Sequence, residues 1–146
     1  MKDNPSPTVY SATGRQAVEG TETGPTQVFL FVKDIKDPEH PYTLEELGVV
    51  KEEDVSVERG DGYDVATVVF APTVPHCSLA KIIGLSIKAK LESELPRYKC
   101  DVRVKDKTHL EWEAINKQLG DKERVAAAME NEEMVRVLEQ LTQSFI

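Results

Sequence analysis

The residues best suited to chemistry in this chain stand four in a row, Pro75-His76-Cys77-Ser78. They lie between a stretch of strand character and an amphipathic helical pattern, so Cys77 falls at a helix start. The first turn of a helix has unpaired N–H groups and the positive end of the helix dipole. A thiol held there ionises more easily, and only the thiolate is a good nucleophile or metal ligand. His76 beside it offers a nitrogen that can donate to the thiolate or, when neutral, bind a metal. The plain alternative for Cys77 is a packing role, because free cysteines are often buried. Cys100, the other cysteine, shares two-residue spacing with Tyr98 and Val102 and reads as core on a strand.

His40 and His109 complete the candidate metal ligands with His76 and Cys77, and Glu39 or Glu113 could add a carboxylate. None sits in an HExxH or CxxC spacing, which would mark a zinc site directly, so folding must bring them together. The motifs G-x-S-x-G, P-loop and G-x-G-x-x-G are absent, which leaves serine hydrolysis and nucleotide binding without support. Adjacent His and Cys side chains rarely converge on one proton, so thiol-protease chemistry is disfavoured.

Several elements must position these residues. Thr26 reads as an N-cap for a helical spacing of Val28, Phe31, Val32 and Ile35, a run short enough to be a strand as well. Pro38 and Pro41 make the following segment a rigid loop around His40. Thr43 and Glu46 have the spacing of a capping box, and Gly48 ends that turn. Val55 and Val57 alternate with polar residues, Gly60-Asp61-Gly62 supplies a hairpin turn, and residues 63–71 return as a central strand apolar on both faces. A helix over residues 78–95 buries Leu79, Ile82, Ile83, Ile87 and Leu91 and stops at Pro96. Tyr98, Cys100, Val102 and Val104 form a third strand, which gives a βαβ unit if it runs parallel to the second. Residues 110–119, 122–130 and a segment after Asn131 are helical, with Asp121 and Asn131 as N-caps. Met134, Val135, Leu138 and Leu141 share one face of the last helix. The predicted class is α+β: a two-layer domain with a small mixed sheet, a hairpin plus a βαβ unit, and C-terminal helices.

The 146 residues suit one domain over residues 25–146. Residues 1–24, rich in Pro, Gly, Ser and Thr without apolar period, read as a disordered tail. With 26 acidic against 18 basic residues the net charge is −8, which argues against nucleic acid or an anionic membrane as a direct partner. No apolar run reaches membrane-spanning length, and the first residues lack the apolar core of a secretory signal. Two cysteines are too few for a disulfide framework, which points to an intracellular chain.

Four blocks carry a more specific resemblance: Asp34-Ile35-Lys36-Asp37-Pro38-Glu39-His40-Pro41, Leu44-Glu45-Glu46-Leu47, Pro72-Thr73-Val74-Pro75-His76-Cys77-Ser78-Leu79-Ala80, and the long run from Ile115-Asn116-Lys117-Gln118 to Glu130-Asn131. In this order they resemble the cytosolic iron–sulfur assembly component 2 family, the eukaryotic branch of the SufT-like and PaaD-like domains, across residues 27–142. Two departures are local: the loop at Pro96-Arg97-Tyr98-Lys99 is one residue short, and Lys107 stands where glycine is common. The resemblance implies a non-catalytic adaptor of the cytosolic iron–sulfur targeting complex, cytoplasmic and also nuclear, with chromosome segregation among the processes it serves. Its partners would be a WD40 propeller subunit, a helical-repeat scaffold and apo iron–sulfur client proteins. Cys77 matches the family's reactive cysteine. No constitutive cofactor is implied; an iron–sulfur cluster or zinc would bind transiently. A cluster usually needs four thiolates, so one cysteine must share it with a partner or a second copy. Two further readings remain: a zinc-binding homodimer with exchanged helices, using Cys77 with His40, His76 or His109 and having no transfer role, and a thiol enzyme.

Overall fold

A computed structural model describes residues 7–12, 14, 23–73 and 75–142. Helix α1, Pro25–Val32, starts at a proline whose fixed φ and missing N–H suit the first helical position. Gly24, not Thr26, is the N-cap; Thr26 lies inside the first turn and donates its hydroxyl to Glu52 Oε2 at 2.7 Å. Val28, Phe29 and Val32 are buried at helical spacing, which resolves the helix-or-strand ambiguity. Just past the helix, Lys33 is 1% exposed and pairs with Asp34 at 3.0 Å and Glu45 at 3.9 Å. The buried Asp37 then accepts the N–H groups of Glu39 and His40 on one oxygen, shaping the double-proline loop. The capping box forms in both directions: Thr43 N–H donates to Glu46 Oε1 at 3.0 Å, and Glu46 N–H to Thr43 Oγ1 at 3.2 Å. Gly48 closes this turn with φ +69°.

Strands β1, Val55–Glu58, β2, Val65–Phe70, and β3, Lys99–Val104, form one sheet in the order β1-β2-β3. β1 pairs antiparallel to β2, with Val55 opposite Val68; β3 pairs parallel to it, with Val68 opposite Val102. Parallel neighbours need a crossover, supplied by helix α2, Cys77–Glu94. The expected βαβ unit is present, preceded by the hairpin. Strand β2 is central, but only one of its faces is fully covered: Ala66, Val68 and Phe70 are buried, while Val65, Thr67 and Val69 are half-exposed. On β3 the alternation is as read, with Cys100, Val102 and Val104 buried.

Helix α2 buries Ala80, Ile83, Gly84, Ile87 and Leu91 against this core. Leu79 and Ile82, expected on the same stripe, lie at its margin and are half-exposed. Helices α3, Trp112–Leu119, α4, Lys122–Glu130, and α5, Glu132–Thr142, follow. Leu110, expected inside α3, precedes the helix and is largely exposed. α3 packs on β3 and α2, and α5 packs on α2 and α4. Asp121 caps α4 by accepting from the Glu123 and Arg124 N–H groups. Asn131 caps α5 by accepting from Met134 N–H at 3.0 Å. The architecture is α+β, with a core continuous from Val28 to Leu138.

Gly84 permits the closest approach in that core. A Cβ built on it would stand 2.6 Å and 2.9 Å from the methyl carbons of Leu119 and 3.3 Å from Phe70 Cζ. Gly84→Ala gains about 1 kcal/mol of helix propensity but incurs ~1–3 kcal/mol of overpacking against buried neighbours. The expected result is a lower urea midpoint, with a net loss of about 1 kcal/mol. Asn131→Ala should cost ~1 kcal/mol by the same measurement, through loss of the α5 cap.

Candidate functional site

Strands β2 and β3 finish together: Phe70 lies opposite Val104, and Lys105 N–H donates to the Phe70 carbonyl at 2.8 Å. The chain leaves β2 at this rim and enters α2, so the thiol sits at the carboxyl end of the parallel strands. In open α/β sheets this is where ligands bind. Cys77 is the first helical residue, one position earlier than the sequence pattern suggests, and His76 is the N-cap. The His76 carbonyl accepts from Ala80 N–H at 3.1 Å, which starts the helical ladder. No side chain caps this end. Cys77 therefore stands among the uncapped first-turn N–H groups of α2. His76 and Ser78 are exposed; Cys77 is half-buried, one side against the core.

Cys100 lies elsewhere, on β3, and is only 7% exposed. Burial pushes its thiol pKa up, the Glu92 charge adds to this, and Lys88 opposes it. The Tyr98 carbonyl is its nearest acceptor, at 3.8 Å.

The candidate ligands are only partly brought together. His76 and Cys77 are neighbours at the rim, but among the described residues no group of three or more His, Cys, Asp or Glu could hold a metal ion. His40 stays in the double-proline loop, where its Nε2 is buried with no hydrogen-bond partner among the described residues. His109 is 3% exposed in the loop after β3, and its Nδ1 accepts from Glu111 N–H at 3.0 Å. A neutral His109 then carries its proton on Nε2, which is buried. Ligation through that nitrogen would require the proton to leave or the Glu111 bond to break. Glu39 and Glu113 are exposed.

The Asn116-Lys117-Gln118 segment has a structural task at this rim. Strand β3 is an edge strand, and Asn116 satisfies its end: the side-chain oxygen accepts from Val104 N–H at 2.6 Å, and the amide donates to the Val104 carbonyl at 3.1 Å. Gln118 accepts from Lys81 Nζ at 3.0 Å, which ties α3 to the first turns of α2. Lys107 takes φ +64° in the loop between β3 and α3, a conformation that suits the glycine expected there. Beside Ser78 a groove of about 280 Å³ opens between α2 and the C-terminal helices, lined by Ile82, Leu85, Leu119, Val125 and Met134. Ile82 was the available signal for it, an apolar residue set off the Ile83–Ile87–Leu91 face.

The site is thus a half-buried thiol at the start of the crossover helix of a βαβ unit, on the three-stranded sheet of an α+β domain. Residues 25–105, which span the sheet and the thiol, match the family described as iron-sulfur cluster assembly protein. The chain belongs to this family. It is 46% identical over 149 aligned positions to mouse "Cytosolic iron-sulfur assembly component 2B", covering 96% of this chain and 90% of the relative. It is 50% identical over 115 positions to "Protein AE7" of Arabidopsis thaliana, covering 78% of this chain and 72% of that one. "MIP18 family protein F45G2.10" of Caenorhabditis elegans is 43% identical, with 93% of this chain and 91% of the relative covered.

Cys77 should alkylate faster than Cys100 by ~tenfold or more, since one thiol is half-exposed at a helix start and the other is buried with a raised pKa. Peptide mapping after brief iodoacetamide treatment of the folded protein measures both rates. Equal rates would remove the argument for a poised thiol.

Proposed function

We propose that this chain is a non-catalytic adaptor in cytosolic iron–sulfur protein assembly, working in the cytoplasm and also in the nucleus. The observation that supports it most is the single half-exposed thiol at an open rim, in a chain similar along nearly its whole length to proteins named as assembly components. Soft thiolate sulfur suits iron–sulfur clusters, and a helix N-terminus favours the thiolate. One thiolate leaves most of a cluster's ligand positions unfilled, so the remaining ligands come from a partner or from the receiving apo-protein. The adaptor's task is then geometric: to hold one sulfur ligand on a rigid βαβ unit while other surfaces bind a WD40 propeller subunit and a helical-repeat scaffold. Turnover of a small substrate has no part in this reading.

The test is affinity purification of the tagged full chain from cell extract, with partners identified by mass spectrometry. The expected result is stoichiometric recovery of the propeller and scaffold, with activity of iron–sulfur enzymes lost in cells that carry only Cys77→Ser. That variant should stay folded, because a residue at a helix start carries little core volume. Cys100→Val is the control and should leave delivery near normal. Zinc in the purified protein, with a dimer that dissociates on chelation and no propeller recovered, would overturn the adaptor reading in favour of a metal-linked homodimer.

A further inference from the structure

The N-terminal segment makes a contact that neither the thiol nor the assembly reading uses. Tyr10 N–H donates to the Glu46 carbonyl at 2.6 Å, joining two positions far apart in the chain. The Tyr10 ring lies over Gly48, so that a Cβ on Gly48 would stand 2.9 Å from Tyr10 Cε2 and 3.3 Å from Cδ2. Gly48 is therefore needed twice. Its φ of +69° closes the turn after the capping box, and its bare Cα lets an aromatic ring reach the backbone. Phe29 of α1 and Val50 supply apolar walls, and Glu45, Lys51 and Glu52 the remainder, around a cavity of about 250 Å³. The receiving surface is firm. Glu45 pairs with the buried Lys33, and Glu46 is fixed by its reciprocal bonds to Thr43.

From this we infer that the cleft between α1 and the Gly48 turn is a docking surface for an extended peptide carrying an aromatic residue, and that its occupant is the chain's own segment around Tyr10. The main-chain bond to Glu46 sets the direction of the segment, and the ring over Gly48 sets its register. The ring remains 53% exposed, so the contact is a shallow seat. Covalent tethering compensates for that shallowness, because it presents the segment at an effective concentration on the order of millimolar. The domain surface at this cleft is thus covered by a strap that a competing aromatic peptide would have to displace. This inference does not rest on the assembly function: its occupant, around Tyr10, precedes the family-matched region, and the receiving surface lies within it.

The experiment is two-dimensional NMR with amide exchange on the full-length protein, comparing wild type, Tyr10→Ala and Tyr10→Phe. Ring removal should shift the amide signals of Gly48, Val50 and Phe29, and should speed exchange of the residue-10 amide by ~tenfold or more. Signals of the β3 strand should not move. Tyr10→Phe should stay close to wild type, because ring carbons and the backbone make the contact. The Gly48→Asn variant, which tolerates positive φ but adds a Cβ, should reproduce the residue-10 exchange of Tyr10→Ala. Unchanged Gly48 and Val50 signals in Tyr10→Ala would overturn the proposal. So would shifts in wild type that vanish on dilution, since they would place the segment on a second copy.

Discussion

Parallel strands cannot be joined by a tight turn, and in this chain the obligatory crossover is α2. How closely that helix approaches the sheet determines much of what surrounds it. Gly84 lets the helix axis come close enough for Phe70 of β2 and Leu119 of α3 to meet its backbone. Ile83, Ile87 and Leu91 then reach the same apolar face as Val68 and Val102. With the helix seated, its N-terminus has only one place to be: beside the last residues of β2, at the rim where β3 also ends. Cys77 is held there by the helix ladder and by packing on one side, while its other side stays open. The position of the thiol thus follows from packing at Gly84, about two turns further along the same helix.

The rim itself is finished by polar bonds. An edge strand leaves alternate N–H and C=O groups unpaired, and at Val104 a single asparagine meets both. The same helix supplies Gln118 to Lys81, so one short segment steadies both the end of β3 and the beginning of α2. His109 belongs to this order as well: with Nδ1 accepting from the Glu111 backbone, it shapes the loop that leads into α3. A buried histidine invites a metal-binding role, yet this hydrogen bond commits Nδ1 to the backbone.

Legibility in the sequence followed the range of the interaction. The capping box at Thr43 and Glu46, the caps at Asp121 and Asn131, and the alternation at Cys100, Val102 and Val104 are set by residues within four positions of one another, and all were readable. The start of α1 was misplaced, because Thr26 has the chemistry of an N-cap; Gly24 holds that place, and the Thr26 hydroxyl bonds Glu52 across the fold. Long-range partners left no local trace. The offset of Ile82 from the Ile83–Ile87–Leu91 face hints at its marginal place, but nothing local tells that the C-terminal helices leave a groove beside it. Tyr10 is the only aromatic residue among the first 24, but nothing local tells where its ring rests. At the candidate site, the cysteine and its helix start were legible because both are local. Which histidines would join it was not, because that depends on where three separate loops come to rest.

Charge bears on how such a site could work. Four thiolates around an iron–sulfur centre leave the assembly negative, and this chain carries a net charge of −8. Approach of an anionic cluster to an acidic protein is opposed by that charge at short range, the repulsion being screened beyond about 8 Å at physiological salt. The helix N-terminus offsets this only locally, since its influence fades within the first turn. Capture from solution by Cys77 alone is therefore unfavourable in both charge and ligand number. In a docked complex of the kind proposed above, a partner's thiolates would supply the missing ligands, and the α2 N-terminus would act on the sulfur at first-turn range. Ligand number and charge therefore both fit the proposed adaptor, in which transfer would occur by contact within a complex, better than a free carrier.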